Sequence, residues 1–160
     1  MIFKLLNKLY SLFIEKRKAE ILNKLKWKGK NISIGSYTLI VNPESLSIGN
    51  DTQIGDFTVL LAQNKIEIGS KCRISTSCMI TSITHKIPSL DRHKDDLVND
   101  SNLSIEIGDN VWIGANSVIL PGTKIGTNSI IAAGSVVKTI IPENQIWGGV
   151  RAEFISEIRY

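Results

Sequence analysis

Histidine, cysteine and aromatic residues are all scarce in this sequence of 160 residues, which has two histidines, two cysteines and 6% aromatics. Two cysteines do not provide a disulfide framework, so we expect a reduced, cytoplasmic protein. Two histidines, one of them in a predicted loop, make a resident metal site improbable on composition alone. A core with so few rings must be filled by branched aliphatic side chains, and isoleucine supplies 26 residues.

A long uncharged apolar run is also absent. No such run reaches the roughly 18 residues of a membrane span. The apolar start is interrupted by Lys4, Lys8 and Glu15 and precedes no small-residue cleavage site, so we do not expect a signal peptide. The net charge of +4 divides into +7 for residues 1–30 and −3 for residues 31–160. The acidic body argues against nucleic-acid binding.

The body is an internal repeat with an aliphatic residue at intervals of six, sometimes eight. Fourteen such positions are twelve isoleucines, one leucine and one valine. These positions are 34, 40, 48, 54, 60, 68, 74, 80, 107, 113, 119, 125, 131 and 137. A glycine follows seven of them, where we expect it to ease a turn. The repeat predicts a narrow solenoid with three flat faces.

The fourth position after the aliphatic residue is mostly small, in ten of fourteen cases, and it includes both Cys72 and Cys78. We therefore interpret the two cysteines as interior filler. Three ladder positions make one coil of about 20 residues. Between Ile80 and Ile107 the step is 27 residues instead of eight, which places an inserted loop over 86–104 at one corner. Long loops in compact folds are usually functional.

The aliphatic-Gly-x-x-small-x hexads resemble the hexapeptide-repeat acyltransferases over about residues 31–155. This resemblance implies an all-β solenoid, a left-handed parallel β-helix, with acetyl-CoA as co-substrate. We divide the chain into a basic amphipathic helical segment (1–30), the β-helix domain (31–150) and a C-terminal tail or short helix (151–160).

The segment Thr81-Ser82-Ile83-Thr84-His85, a long loop, and then Val111-Trp112-Ile113-Gly114-Ala115 is similar to the sugar O-acetyltransferases of this fold. The resemblance implies that His85 is the catalytic base. A neutral imidazole suits this role because it can take a hydroxyl proton near pH 7. Its orienting group stays open among Asp91, Asp95, Asp96 and a backbone carbonyl. The expected acceptor contacts are Asn64, Lys65 and His93.

The same resemblance implies a homotrimer with acetyl-CoA in the groove between two subunits. Trp112 lies on a different edge from His85, so one subunit does not bring the two together. The expected coenzyme contacts are Trp112, Ala115, Ala133, Lys138 and Arg151. The C-terminal stretch departs from the family pattern, since Arg151 replaces a usual proline and Glu153 a usual lysine. Lys138 and Arg151 are the candidates to replace that lysine at the coenzyme phosphates.

The N-terminal segment carries apolar residues at helical spacing, starting with Ile2, Leu5, Leu6 and Leu9. Two interpretations stay open at this point. The helix either covers the end of the solenoid, because terminal repeats need covering, or it makes a peripheral contact with an anionic membrane surface on the cytoplasmic side.

The sequence therefore predicts a trimeric, acetyl-CoA-dependent O-acetyltransferase acting on a hydroxyl of a sugar or a surface-polysaccharide intermediate. Transfer is expected to be direct, since no Cys or Ser stands beside a base. Serine acetyltransferases and amino-sugar N-acetyltransferases are the alternative enzymes, and a non-catalytic binding solenoid is the alternative class. A carbonic anhydrase of this fold needs three histidine ligands, more than the chain contains.

Overall fold

The computed structural model describes residues 2–86 and 97–159. One helix, α1 (Ile2–Lys24), precedes a parallel β-solenoid of about six coils that forms a left-handed β-helix, as the sequence predicts. The first coil begins at Trp27, four residues before the predicted boundary at 31. Two short 3₁₀ turns interrupt the coils at Pro43–Ser45 and Ser101–Leu103.

Each coil contributes one short strand to each of three flat sheets, which we call faces A, B and C. Face A contains β1 (Trp27–Lys28), β4 (Leu46–Ile48), β7 (Ile66–Ile68), β10 (Ile105–Ile107), β13 (Lys124–Ile125) and β16 (Ile140–Ile141). Face B contains β2 (Ser33–Ile34), β5 (Gln53–Ile54), β8 (Arg73–Ile74), β11 (Trp112–Ile113), β14 (Ile130–Ile131), β17 (Gln145–Gly148) and β18 (Glu153–Glu157). Face C contains β3 (Leu39–Val41), β6 (Val59–Leu61), β9 (Met79–Thr81), β12 (Val118–Ile119) and β15 (Val136–Val137).

The predicted aliphatic ladder is the interior of the solenoid. All fourteen positions are buried, with at most 8% of any side chain exposed. Parallel pairing places equivalent rungs directly above one another, as in Ile34 on Ile54 and Ile54 on Ile74. The interior is therefore a set of stacked aliphatic columns, and the sequence period follows from this geometry.

Small side chains at the corners bond each coil to the next. Thr52 Oγ1 donates to the carbonyl of Gly69 at 2.8 Å, and Ser129 Oγ donates to that of Pro142 at 2.7 Å. Cys72 and Cys78 occupy the same position, and their thiols donate to the carbonyls of Gly108 and Gly114 in the next coil. Both cysteines are buried and free, which confirms their interpretation as interior filler.

The glycines of the repeat have a different role from the one we expected. The seven that follow a ladder residue do not adopt positive φ. The left-handed residue lies two places later, at Asn or Asp in corners such as Asn31, Asp51 and Asn128. A Cβ on Gly55 would lie 2.7 Å from the amide nitrogen of Thr76, so glycine is required by close approach of the next coil.

The faces differ in what they present to the outside. Face A presents charged pairs, including Lys124 with Glu106 at 2.9 Å. Face C presents apolar residues at its outward positions except for Thr81, which is 9% exposed, and three of the apolar residues are at least 36% exposed. These outward residues are Leu39, Val41, Val59, Leu61, Met79, Val118 and Val136. Face C is therefore the apolar side of the solenoid.

Both ends of the solenoid are covered by chain termini. At the first end, Ile21, Leu22 and Leu25 pack against the core. At the other end, Trp147 packs on the core, and β18 turns back to pair antiparallel with β17. The prediction of a short C-terminal helix is wrong. The segment that was expected to be helical is β18. It lies beside the unpaired edge of β17 and extends that sheet instead.

Candidate active site

His85 lies at the third corner of the solenoid, where the chain passes from face C to face A. It is exposed, and its backbone forms an isolated antiparallel bridge with Leu97. The Val98 amide donates to the carbonyl of Thr84 at 3.0 Å. The two ends of the inserted segment therefore meet at a short two-stranded neck, and His85 is part of that neck.

The side chain of Asn64, one coil below, fastens this neck to the solenoid. Its Nδ2 donates to the carbonyl of Ser82 at 2.7 Å and to that of Val98 at 3.1 Å. Its Oδ1 accepts from the backbone amide of Asp100 at 3.0 Å. Asn64 is only 4% exposed, and both amide hydrogens are engaged inside the chain. The expected contact of Asn64 with the acceptor stays a prediction. Its hydrogen bonds to both sides of the insertion are seen directly in the structure.

Lys65 follows Asn64 at the same corner. Its carbonyl accepts from Ile105 at 3.0 Å, where the insertion returns to the solenoid, and its Nζ lies 2.7 Å from Glu67 Oε1. Lys65 is therefore close to the neck that carries His85. The fourth expected residue of this group, His93, and the candidate orienting groups Asp91, Asp95 and Asp96 lie outside the described residues.

A cavity of about 480 Å³ lies higher on the same corner and brings together the two predicted cations. It is lined by Leu120, Val136, Lys138, Thr139, Trp147, Arg151 and Ala152. Lys138 belongs to the third corner two coils above His85. Because neighbouring strands lie about 4.8 Å apart, that separation along the solenoid is about 10 Å.

The sequence analysis did not assign a site role to Trp147. The residue stacks in register on Ile131, an interior position, and its Nε1 donates to Gln145 Oε1 at 2.8 Å. The sequence feature that could have identified Trp147 is an aromatic residue at a position where the repeat has an aliphatic one. A ring is too wide for the interior of this prism, so it marks the end of the solenoid and the wall of the cavity.

The remaining predicted coenzyme contacts lie on face B and at the second corner, where face B turns into face C. Trp112 begins β11 on face B, whereas Ala115 and Ala133 follow their strands at the corner itself. Trp112 is 49% exposed, and its Nε1 donates to Ser75 Oγ of the coil below at 3.2 Å. Ala115 and Ala133 are stacked in successive coils, since the amide of Gly134 donates to the carbonyl of Ala115. The predicted site residues therefore divide between two edges, and face C lies between them.

Neither cysteine is a ready nucleophile. Burial raises the pKa of the Cys72 thiol, and hydrogen bonds from its surroundings only partly oppose this. Burial likewise raises the pKa of Cys78. A thiol held neutral and inside the core cannot attack a thioester. The arrangement therefore supports transfer without a cysteine intermediate.

Two further observations concern the described residues, 2–86 and 97–159. Within these ranges, no group of three or more His, Cys, Asp and Glu side chains is placed to hold a metal ion. Nor does any helix there combine the length and the apolar character needed to cross a membrane.

Comparison with known proteins gives matches across the solenoid. Residues 104–139 match the family model described as bacterial transferase hexapeptide (six repeats). The putative acetyltransferase YJL218W of Saccharomyces cerevisiae is 34% identical over 153 residues, covering 90% of this chain and 72% of that protein. The putative lipopolysaccharide biosynthesis O-acetyl transferase WbbJ of Escherichia coli is 30% identical over 131 residues. That match covers 81% of this chain, which spans only 59% of WbbJ.

A solved structure shares the fold at similar length. The hexapeptide-repeat acetyltransferase VCA0836 of Vibrio cholerae, complexed with acetyl-CoA, superposes with a TM-score of 0.83 at 27% identity. The superposition covers 91% of this chain and 78% of that one.

Proposed function

Since the chain belongs to the hexapeptide-repeat acetyltransferases, we propose that it transfers the acetyl group of acetyl-CoA to a hydroxyl of a sugar or a surface-polysaccharide intermediate. The observation that carries this proposal is the arrangement of residues along the third corner. There His85 stands at the neck of the insertion, and a cavity with two cations lies about 10 Å further along the same edge.

His85 acts as general base in this proposal. A ring nitrogen takes the proton of the acceptor hydroxyl while the oxygen attacks the thioester carbonyl carbon. The tetrahedral adduct then expels the coenzyme thiolate, and the imidazolium returns the proton to that sulfur. One C–O bond forms, one C–S bond breaks, and the histidine ends in its starting state. A hydroxyl needs this help because its own pKa is far above neutral.

The cavity suits the phosphate end of the coenzyme. Lys138 and Arg151 supply two positive charges at its rim, and Arg151 can bind a phosphate through two parallel N–H donors. Together they replace the lysine that Glu153 displaces from the family pattern. The thioester then reaches along the solenoid toward His85. No resident metal takes part.

A homotrimer would complete the site, and the apolar face C supports it. Three triangular prisms that present one face to a common axis bring the third corner of each copy beside the second corner of the next. This places His85, Lys138 and Arg151 of one copy against Trp112 and Ala115 of its neighbour. It also buries the exposed Leu39, Val41 and Met79, which water would otherwise contact.

The acceptor class rests on the relatives. WbbJ is described as an O-acetyl transferase of lipopolysaccharide biosynthesis, although this chain spans only 59% of its length. We propose a cytoplasmic reaction, because two buried and unpaired cysteines suit a reducing compartment.

The test is a screen of sugars and nucleotide sugars with acetyl-CoA, following release of free thiol. With an active acceptor, His85→Ala is expected to lower kcat at least 1000-fold, while calorimetry shows coenzyme binding within twofold of the parent. His93→Ala is the matched control, since it removes the other histidine; we expect it to raise the KM of the acceptor with little change in kcat. Full turnover by His85→Ala would refute the assignment. Activity on serine alone would favour the alternative enzyme class.

A further inference from the structure

Helix α1 has two apolar sides that face nearly opposite directions. One side rests on the first end of the solenoid through Ile14, which is 7% exposed, and through Ile21. On the same side, a guanidinium nitrogen of Arg17 donates to the carbonyl of Thr38 at 3.4 Å. A hydrogen bond with Tyr37 also reaches this side and raises the pKa of Tyr10. This contact side accounts for the end-covering role of the helix.

The other apolar side belongs to the first half of the helix and is exposed. It consists of six residues at helical spacing, each between 54% and 72% exposed. These residues, which we call the outer stripe, are Ile2, Leu5, Leu6, Leu9, Leu12 and Phe13. At 3.6 residues per turn, the outer stripe is centred roughly 150° from the contact side. Packing on the solenoid therefore cannot cover it.

Basic residues outnumber acidic residues by six to two along α1, which carries the outer stripe. Residues 2–14 contain Lys4 and Lys8 and no acidic residue. Further along the helix, the exposed Lys16 and Lys24 lie within about 60° of the stripe's direction, and the exposed Glu20 is the one acidic residue of α1 that also does. Segment 1–30 as a whole carries a net charge of +7, while the rest of the chain carries −3. The combination of a wide apolar stripe and flanking lysines is typical of helices that lie in the headgroup region of anionic bilayers.

We propose that the outer stripe binds the surface of an anionic lipid bilayer, with α1 lying in the plane between the membrane and the first end of the solenoid. The helix does not span the bilayer, since no described helix is long and apolar enough to do so. The apolar residues enter the boundary of the acyl chains, and the lysines meet the lipid phosphates. In this orientation the solenoid axis stands away from the membrane, and His85 lies two coils above the surface-bound end.

A sedimentation assay with the full-length protein tests this proposal. The probes are vesicles of phosphatidylcholine with one quarter phosphatidylglycerol, compared with vesicles of phosphatidylcholine alone. We expect the parent protein to pellet with the anionic vesicles and to be released as salt screens the charges. Leu5→Asp combined with Leu9→Asp is expected to lower the bound fraction at least tenfold. Lys4→Glu combined with Lys8→Glu is expected to abolish the preference for anionic lipid.

Ile140→Asp is the matched control, because Ile140 is 67% exposed on face A, far from the helix. It is expected to pellet like the parent. The proposal is overturned if the parent stays in the supernatant with anionic vesicles at low salt, or if the double aspartate variant binds as well as the parent. A change in molar mass of that variant by light scattering, without vesicle binding by the parent, would assign the outer stripe to a second copy instead. Acetyl transfer to a dissolved acceptor should be the same in all these variants, so the result is independent of the proposed function.

Discussion

Replacing Asn64 by leucine should loosen the insertion that carries His85 while leaving the solenoid intact. Leucine has the same branched heavy-atom skeleton with larger end groups, and it removes three hydrogen bonds, to the carbonyls of Ser82 and Val98 and from the amide of Asp100. At about 1 kcal/mol each, the cost is about 3 kcal/mol. The aliphatic columns do not pass through this side chain, so the cost should appear as local opening of the neck.

Hydrogen exchange measures this opening directly. A local loss of about 3 kcal/mol corresponds to roughly 100-fold faster exchange of the amides of Val98 and Asp100. The amide of Ile105, which donates to the carbonyl of Lys65, reports the solenoid and should exchange as before. Because a base displaced by about 1 Å loses on the order of 100-fold in rate, we expect kcat to fall between 10-fold and 100-fold. The KM of acetyl-CoA should not change.

Two further variants separate the hold on the neck from general destabilisation. Gln63→Ala removes a neighbouring side chain that accepts from Asn42 Nδ2 at 3.0 Å and makes no hydrogen bond to the described residues of the neck, so its effect should stay below about 1 kcal/mol. Asn64→Asp places carboxylate oxygens against two carbonyls and should be as harmful as leucine. The reasoning is wrong if Asn64→Leu exchanges and turns over like the parent, or if the Ile105 amide is deprotected to the same extent.

Three other predictions concern the coenzyme end and the core. Lys138→Ala and Arg151→Ala should each raise the KM of acetyl-CoA about tenfold in steady-state assays and leave kcat within twofold, since both act on binding remote from the reacting carbonyl. Because burial raises its pKa, the Cys72 thiol should resist iodoacetamide in the folded protein at pH 8.5 and react in urea, as followed by mass spectrometry. Gly55→Ala should lower stability by more than about 3 kcal/mol in denaturant unfolding. Gly134→Asn should cost less than about 1 kcal/mol, because a Cβ there meets nothing within 4 Å and its φ of +71° is one that asparagine adopts at other corners, such as Asn128.

The solenoid could be predicted from the sequence because each coil contacts only the coils next to it. A rung such as Ile54 contacts the rungs directly below and above it, so the interior repeats along the chain. The same logic placed Cys72 among the small corner residues. It failed at the glycines, since the sequence does not reveal that the next coil approaches Gly55 more closely than a Cβ allows.

The candidate site could be predicted only in pieces. Register placed His85 at a corner, where the structure also has it. Trp112 was expected on another edge and lies in β11 of face B, with its ring bonded to Ser75 beside the second corner. The cavity around Lys138 and Arg151 depends on the path of the chain after Trp147, where the repeat ends and no period guides the prediction. The C-terminal strand could not be predicted for the same reason. Its partner, the free edge of β17, exists only once the solenoid is built.

The covered ends of the solenoid have a consequence for assembly. A parallel stack of coils offers unpaired backbone groups at its top and bottom, and identical surfaces there would allow copies to add head to tail without limit. Helix α1 occupies the place of a preceding coil, and residues 149–157 turn back over the last coil on faces B and C. Helix α1 and the returning segment therefore oppose head-to-tail addition of further coils, which suits the sideways association of the proposed homotrimer rather than a fibre.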